Sequence, residues 1–266
     1  MLTEAAQRDY LARIDTALTA AASVATQFTS GTFEVKDNGG RDVVTAVDRA
    51  VSDQLRRTLL MPGEGWLSEE DLDDRSRLSR EVVWIVDPLD GTREFVDGIP
   101  EWCISIGLVV EGVAVAGGVC NPATGEFFLG SLDLGVTYNH RPVKAAPKVN
   151  LGGALVLASR QEYARGEWAR FEGMQFSIRP TGSVAYKLAL VSAGLADATW
   201  TLSPKHEWDV AAGVALVDSA GGRVGCIHDA DFRFNQHETR LPGLVASAKG
   251  IWTEIVQLLG VCGTAR

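Results

Sequence analysis

The segment Trp84-Ile85-Val86-Asp87-Pro88-Leu89-Asp90-Gly91-Thr92-Arg93-Glu94-Phe95 constrains this chain more than any other. The β-branched run from Val82 to Val86 reads as a buried strand. It passes without a linker into a turn bearing two carboxylates three residues apart. Proline removes a backbone donor and fixes the turn, while glycine permits close backbone approach. Asp87, Asp90 and the Leu89 carbonyl then make a set of hard oxygen donors of the kind Mg²⁺ takes. If Gly91 and Thr92 open a helix, their N–H groups form a phosphate cradle beside the metal. An Asp-Pro turn with a side-chain cap is the plainer reading of that segment taken alone.

Two other segments bear on the choice. Leu67-Ser68-Glu69-Glu70-Asp71 places three acids just ahead of the strand. Like charges so close are costly unless a cation neutralises some of them, although a solvated acidic loop has the same composition. Glu207-Trp208-Asp209 leads into a helical stretch from Asp209 to Ala220, closed by Gly221-Gly222. At its start Asp209 suits an N-cap and a metal ligand equally.

Helical spacing over Glu4–Gln27 and over 45–60 predicts two helices ahead of the strand. The runs Cys103–Val110 and Val113–Cys120 predict a hairpin across Glu111-Gly112, and Glu126–Gly130 continues that sheet. Beyond the Pro- and Gly-containing stretch 141–152, the pattern predicts a strand at Ala154–Ala158 and helices at Glu162–Glu172 and Ser183–Ala193. After the Asp209 helix come a strand at Leu244–Ser247 and a helix at Ile251–Leu259. This alternation predicts an α+β or mixed α/β fold. Its two expected subdomains are 1–145, carrying most of the acids, and 146–266, carrying Asp209, with the site between them.

The chain has 266 residues, 46% hydrophobic and 22% charged, enough to bury a large core. A formal charge of −9 argues against affinity for a nucleic-acid polymer. No apolar run approaches the roughly 18 residues of a membrane span, so a cytoplasmic protein with no membrane partner is expected. Cys103, Cys120, Cys226 and Cys262 are far apart, without a C-x-x-C, and read as buried or spare thiols.

Taken together, the acidic segments resemble those of the inositol monophosphatase superfamily of Li⁺-sensitive, Mg²⁺-dependent phosphatases. The resemblance is carried by Asp42-Val43-Val44-Thr45 with Asp48, Ser68-Glu69-Glu70, the Asp87–Thr92 segment and Trp208-Asp209-Val210-Ala211-Ala212-Gly213. It implies a layered α-β-α-β-α sandwich of the inositol monophosphatase/fructose-1,6-bisphosphatase type. It also implies metal ligation by Glu69, Asp87, the Leu89 carbonyl, Asp90 and Asp209, with Asp48 and Thr92 orienting and activating the attacking water. Glu69 is thus counted with the catalytic residues, and Glu70 stands behind it. Four carboxylates supply a charge that two or three Mg²⁺ ions would balance, and such ions neutralise a phosphate monoester dianion.

Within that superfamily the variant DGT-Arg93-Glu94-Phe95 resembles the 3′(2′),5′-bisphosphate nucleotidases. Where inositol phosphatases hold a glutamate for sugar hydroxyls, this chain has Leu202. Lys187 falls where nucleotidases often place a lysine facing a second phosphate, and Lys205 and His206 lie nearby in sequence. Hydrolysis of 3′-phosphoadenosine 5′-phosphate is therefore expected, with inositol 1-phosphate as the alternative. Expected substrate contacts are Asp90, Gly91, Thr92, Ser183, Lys187 and Asp209. A metal-stabilised binding protein is the non-enzyme alternative, but it has no use for Thr92 and Asp48. The resemblance allows a monomer or a homodimer.

Overall fold

The computed structural model describes residues 2–28, 46–226 and 232–260, together with the backbone of 36–37 and 43–44. Asp42, Thr45 and Cys262 lie outside the described residues. The first half contains α1 (Glu4–Ala25), the short strands β1 (Lys36–Asp37) and β2 (Val43–Val44), and α2 (Ala46–Leu59). There follow β3 (Gly65–Ser68), β4 (Val82–Asp90), α3 (Thr92–Val96), β5 (Cys103–Val110), β6 (Val113–Asn121), β7 (Glu126–Ser131), β8 (Gly135–Tyr138) and β9 (Arg141–Val143). Strands β3 to β9 form one seven-stranded sheet in sequence order. It is antiparallel except that β3 and β4 run parallel.

The second half adds β10 (Leu155–Ser159), α4 (Arg160–Ala164), β11 (Ser177–Thr181), α5 (Val184–Ser192), β12 (Ala198–Thr201), β13 (Lys205–His206), α6 (Glu207–Ser219), β14 (Arg223–Cys226), β15 (Arg240–Leu241), β16 (Leu244–Ser247) and α7 (Trp252–Leu259). A five-stranded sheet has the order β11-β10-β12-β16-β14, and β13 pairs with β15.

The residues explain the layering. On α1, Ile14, Ala17, Leu18 and Ala21 are buried at helical spacing, and on α2 so are Val47, Val51, Leu55 and Leu59. These stripes share a core with Trp84, Val86, Ile104 and Ile106 on the outer face of the large sheet. Helix α6 is buried from Val210 to Val217, as a helix must be when it is covered on both sides. With α5 it fills the layer between the two sheets, in a core that runs from Leu67 to Ala246. A third core sets Trp168, Phe171 and Ile255 against Trp200 beneath the small sheet. The order of layers is α-β-α-β-α, as the resemblance implies.

Two local readings of the sequence need correction. The helix expected over Glu162–Glu172 is broken: α4 stops at Ala164, Gly166 turns the chain at φ +76°, and only a 3₁₀ turn, Ala169–Phe171, follows. The sixth helix begins at Glu207, two residues earlier than expected, which puts Asp209 in its third position instead of at its cap. Strands β1, β2, β3, β8, β9, β11, β12, β13, β14 and β15 are additions to the sequence reading. Cys103 and Cys120 are buried free thiols, and Cys226 is buried as well. No described helix is long and apolar enough to cross a membrane.

Candidate active site

The parallel pairing of β3 and β4 sets the site. Ser68 is opposite Val86, so Glu69 leaves β3 at the same end of the sheet where β4 carries the buried Asp87. Along a regular strand Asp87 and Asp90 would face opposite sides of the sheet. Against β5, however, Asp87 pairs with Ser105 and Asp90 with Cys103, so the chain fits one extra residue into β4. That bulge, at the donor-less Pro88, returns both carboxylates to one side. Gly91 then turns at φ +98°, where a Cβ would press on Glu101 and Trp102, and α3 begins at Thr92. Phe95 pins α3 by an edge-on contact with Trp102 at 4.9 Å between ring centres.

The second half brings up the C-terminal ends of β10 and β11, the start of α5 and the start of α6. Together these ends enclose a cavity of about 190 Å³. Its lining includes Glu69, Glu70, Asp87, Leu89, Asp90, Gly91, Thr92, Ser183, Lys187 and Asp209, residues the sequence singles out. Asp48 is buried on α2 and adds its charge to the field at Glu69. Ser159, Arg160, Gln161 and Thr181 also line the cavity and were missed by sequence reasoning. Ser159 and Arg160 directly follow the strand read at Ala154–Ala158, and open-sheet ligands bind beyond the carboxyl ends of strands. That position was the available signal. Leu202, by contrast, is solvent-exposed and is not among the lining residues.

Asp87, Asp90 and Asp209 each accept a backbone N–H. Leu89 N–H donates to Asp87 Oδ1 at 2.9 Å, and His206 N–H donates to Asp209 Oδ2 at 2.9 Å. Asp90 Oδ2 accepts both the Ser183 hydroxyl and the Ala185 N–H at 2.6 Å. From the third position of α6, Asp209 closes a capping box back onto His206 and also lines the cavity. The Thr92 hydroxyl donates to the Leu89 carbonyl at 3.1 Å.

The acids hold their protons unusually tightly. Burial raises the Asp87 carboxyl well above its ordinary value, and the charges of Glu69, Asp90 and Asp209 add to the rise. Burial and the neighbouring Asp90 push Asp209 to about 7, against the pull of Lys205. Glu69 keeps one side open to solvent, yet desolvation, then Asp209, Glu70, Asp90 and Asp48, raise it as well. Carboxylates that raise one another in this way are a site lacking positive charge.

Their chemistry fits a hard divalent cation, since every donor is oxygen and the Leu89 carbonyl adjoins the acids. Among the described residues, no three His, Cys, Asp or Glu side chains are already drawn together as a ligand set. The acids share the cavity wall and would have to swing inward to grip an ion.

Lys187 departs from the sequence expectation. It is 3% exposed, and its ammonium donates to the carbonyls of Ser183, Thr181 and Gly182. Arg160 is tied to Glu101 at 2.5 Å, and the same Glu101 oxygen accepts the Gly182 N–H at 2.8 Å. His206 lies flat on Trp208, with ring centres 4.5 Å apart.

The model of the inositol monophosphatase family matches residues 6–258. Over 206 residues the chain is 34% identical to the inositol monophosphatase of Mesembryanthemum crystallinum, an alignment covering 71% of this chain and 76% of that one. The structure of the extragenic suppressor protein suhB from Bartonella henselae superposes with a TM-score of 0.78 at 26% identity, covering 93% of this chain and 96% of that one. CysQ from Bacteroides thetaiotaomicron, at 24% identity, shares the fold with a TM-score of 0.74 over 90% of this chain and 97% of its own. The chain belongs to the inositol monophosphatase family, whose members are metal-dependent phosphoric monoester hydrolases.

Proposed function

We propose that the chain is a Mg²⁺-dependent phosphomonoesterase acting on 3′-phosphoadenosine 5′-phosphate, giving AMP and phosphate. The observation that carries the hydrolase is the grouping of Glu69, Asp87, Asp90 and Asp209 around one cavity, with pKa values of three of them raised by burial and by one another. Glu69, Asp87, the Leu89 carbonyl, Asp90 and Asp209 would hold two or three Mg²⁺ ions. Bound there, the ions would supply charge neutralisation for the phosphate dianion and acidify a water. The protein's own part is positioning. Gly91 and Thr92 present backbone at the mouth of α3, Thr92 and Asp48 orient the attacking water, and Glu70 supports Glu69.

The nucleotide is favoured by the cations of the wall, whereas Leu202, exposed and outside the lining, takes no part in the choice. Arg93, Arg160 and Lys205 line the same cavity as the acids, which suits a substrate with a second phosphate. Inositol 1-phosphate is the second reading, supported by the name of the Mesembryanthemum crystallinum relative. Either reading fits a protein acting as a monomer or a homodimer. Phosphate release from 3′-phosphoadenosine 5′-phosphate, inositol 1-phosphate and fructose 1,6-bisphosphate, compared by kcat/KM with Mg²⁺, decides between them. A higher kcat/KM on inositol 1-phosphate would displace the nucleotide.

A further inference from the structure

Lys187 lies on α5, a helix whose nine residues are all buried. Its Nζ donates to the Ser183 carbonyl at 2.6 Å, to Thr181 at 3.2 Å and, at the long limit, to Gly182 at 3.5 Å. An ammonium has three N–H bonds, so three consecutive carbonyls of one turn account for all of them. A phosphate contact would have to break that arrangement. Burial lowers the lysine pKa to about 8 while Asp90, Glu162 and Glu94 favour its charge, so the ammonium persists at neutral pH.

The turn so gathered is a strained one. Ser183 sits at φ +54° and ψ 130°, a conformation that an L-residue keeps only when its surroundings impose it. From there its hydroxyl accepts the Tyr186 N–H at 3.0 Å and donates to Asp90 Oδ2 at 2.6 Å. The Ala185 N–H reaches the same oxygen at 2.6 Å. A chain of contacts therefore runs from the Lys187 ammonium through the carbonyls of residues 181–183 to the Asp90 carboxylate.

We propose that Lys187 is a positioning residue, which holds the left-handed Ser183 turn and through it the orientation of Asp90, and which does not touch the substrate. The proposal rests on the reading of this cavity as a Mg²⁺-dependent phosphatase site. It assigns the recognition of any second phosphate to the other cations of the wall.

The test is Lys187→Met, which keeps a long side chain and removes the ammonium. Mg²⁺ affinity is measured by calorimetry, and kcat/KM on both 3′-phosphoadenosine 5′-phosphate and inositol 1-phosphate. The Mg²⁺ dissociation constant should rise about tenfold or more, the size of effect typical of a group that supports a metal ligand. The kcat/KM should fall by the same factor on both esters. In a Ser183→Gly background the added Lys187→Met should change Mg²⁺ affinity no further, because both substitutions cut one link. A loss confined to the bisphosphate, with Mg²⁺ affinity intact, overturns the proposal and makes the lysine a substrate contact. Should Lys187→Met not fold, Ser183→Ala cuts the same chain with the lysine in place, and an unchanged Mg²⁺ affinity there overturns the proposal equally. A wild type that binds Mg²⁺ and releases phosphate from neither ester removes the phosphatase reading, and the calorimetric comparison still decides the role of Lys187.

Discussion

Gly117 on β6 leaves the space that the Ala212 carbonyl of α6 occupies, and a Cβ there would overlap that oxygen. Its cross-strand partner Gly107 does the same for Ala211, whose Cβ would be 2.7 Å from a new one. The two glycines let α6 lie close on the sheet, and α6 carries Asp209 toward the ends of β3 and β4. Gly117→Ala should therefore cost about 1–3 kcal/mol through overpacking and should also weaken Mg²⁺ binding by displacing Asp209. Urea denaturation and Mg²⁺ titration of the same variant check both effects. A variant of wild-type stability would show that the close approach is not required.

Acids of α6, Asp209 among them, set how stability depends on pH in the metal-free protein. Burial, first among the causes in each case, raises Asp209 and Glu207 to about 7 and Asp218 to about 6. Their unfolded values are near 4. Between those limits the folded chain holds more protons than the unfolded one, so stability falls as pH rises from about 4 to 7. Glu64 and Asp73 shift the opposite way, but their contribution is lost only below that window. Without metal the melting temperature should be higher at pH 5 than at pH 8. Added Mg²⁺ should raise it mainly at pH 8, where the ligands are ionised. Scanning calorimetry at the two pH values, with and without Mg²⁺, measures this, and an apo protein more stable at pH 8 would contradict the burial argument.

The substrate reading has its own test at Lys205, which lines the cavity and lowers the Asp209 pKa by its charge. Lys205→Ala should lose about 1.5–3 kcal/mol of transition-state binding on the bisphosphate if one charge-assisted contact goes, a fall of about ten- to hundredfold in kcat/KM. Inositol 1-phosphate should be affected less. Leu202, exposed and outside the cavity lining, is the control: Leu202→Glu should leave the preference unchanged. Equal losses on both esters for Lys205→Ala would leave the nucleotide without this support.

How far the sequence led can be judged from particular residues. The hairpin across Glu111-Gly112, the long first helix and the buried run of β4 follow from local periodicity, and the structure has them. The strands β9 and β11 contain Pro142 and Pro180 among charged residues, and their pairing comes from neighbours distant in the chain, which no local pattern reveals. At the site, each acidic segment alone allowed a plainer reading, and the acids were legible because the segments together resemble those of one family. That Asp87 and Asp90 act together was read from the turn, but the means, a one-residue bulge against β5, was not legible. The placement of Lys187 was not legible either. Spacing along a helix gives its position but not that its ammonium is enclosed by the carbonyls of the turn before it.

The central claim is that the acids of this cavity hold Mg²⁺ for phosphate ester hydrolysis. Phosphate release from 3′-phosphoadenosine 5′-phosphate and inositol 1-phosphate by the wild type and by Asp90→Asn, in Mg²⁺ and in a chelator, tests it most directly. Asparagine can still accept one of the hydrogen bonds from Ser183 and Ala185, so the variant should remain folded by circular dichroism while losing a ligand charge. The account predicts release by the wild type on at least one ester, abolished by the chelator, and a fall on the order of 10²- to 10³-fold in Asp90→Asn, the scale of removing one charge-stabilising group. Release that persists in the chelator, or near-normal kcat for Asp90→Asn at low Mg²⁺, would contradict it.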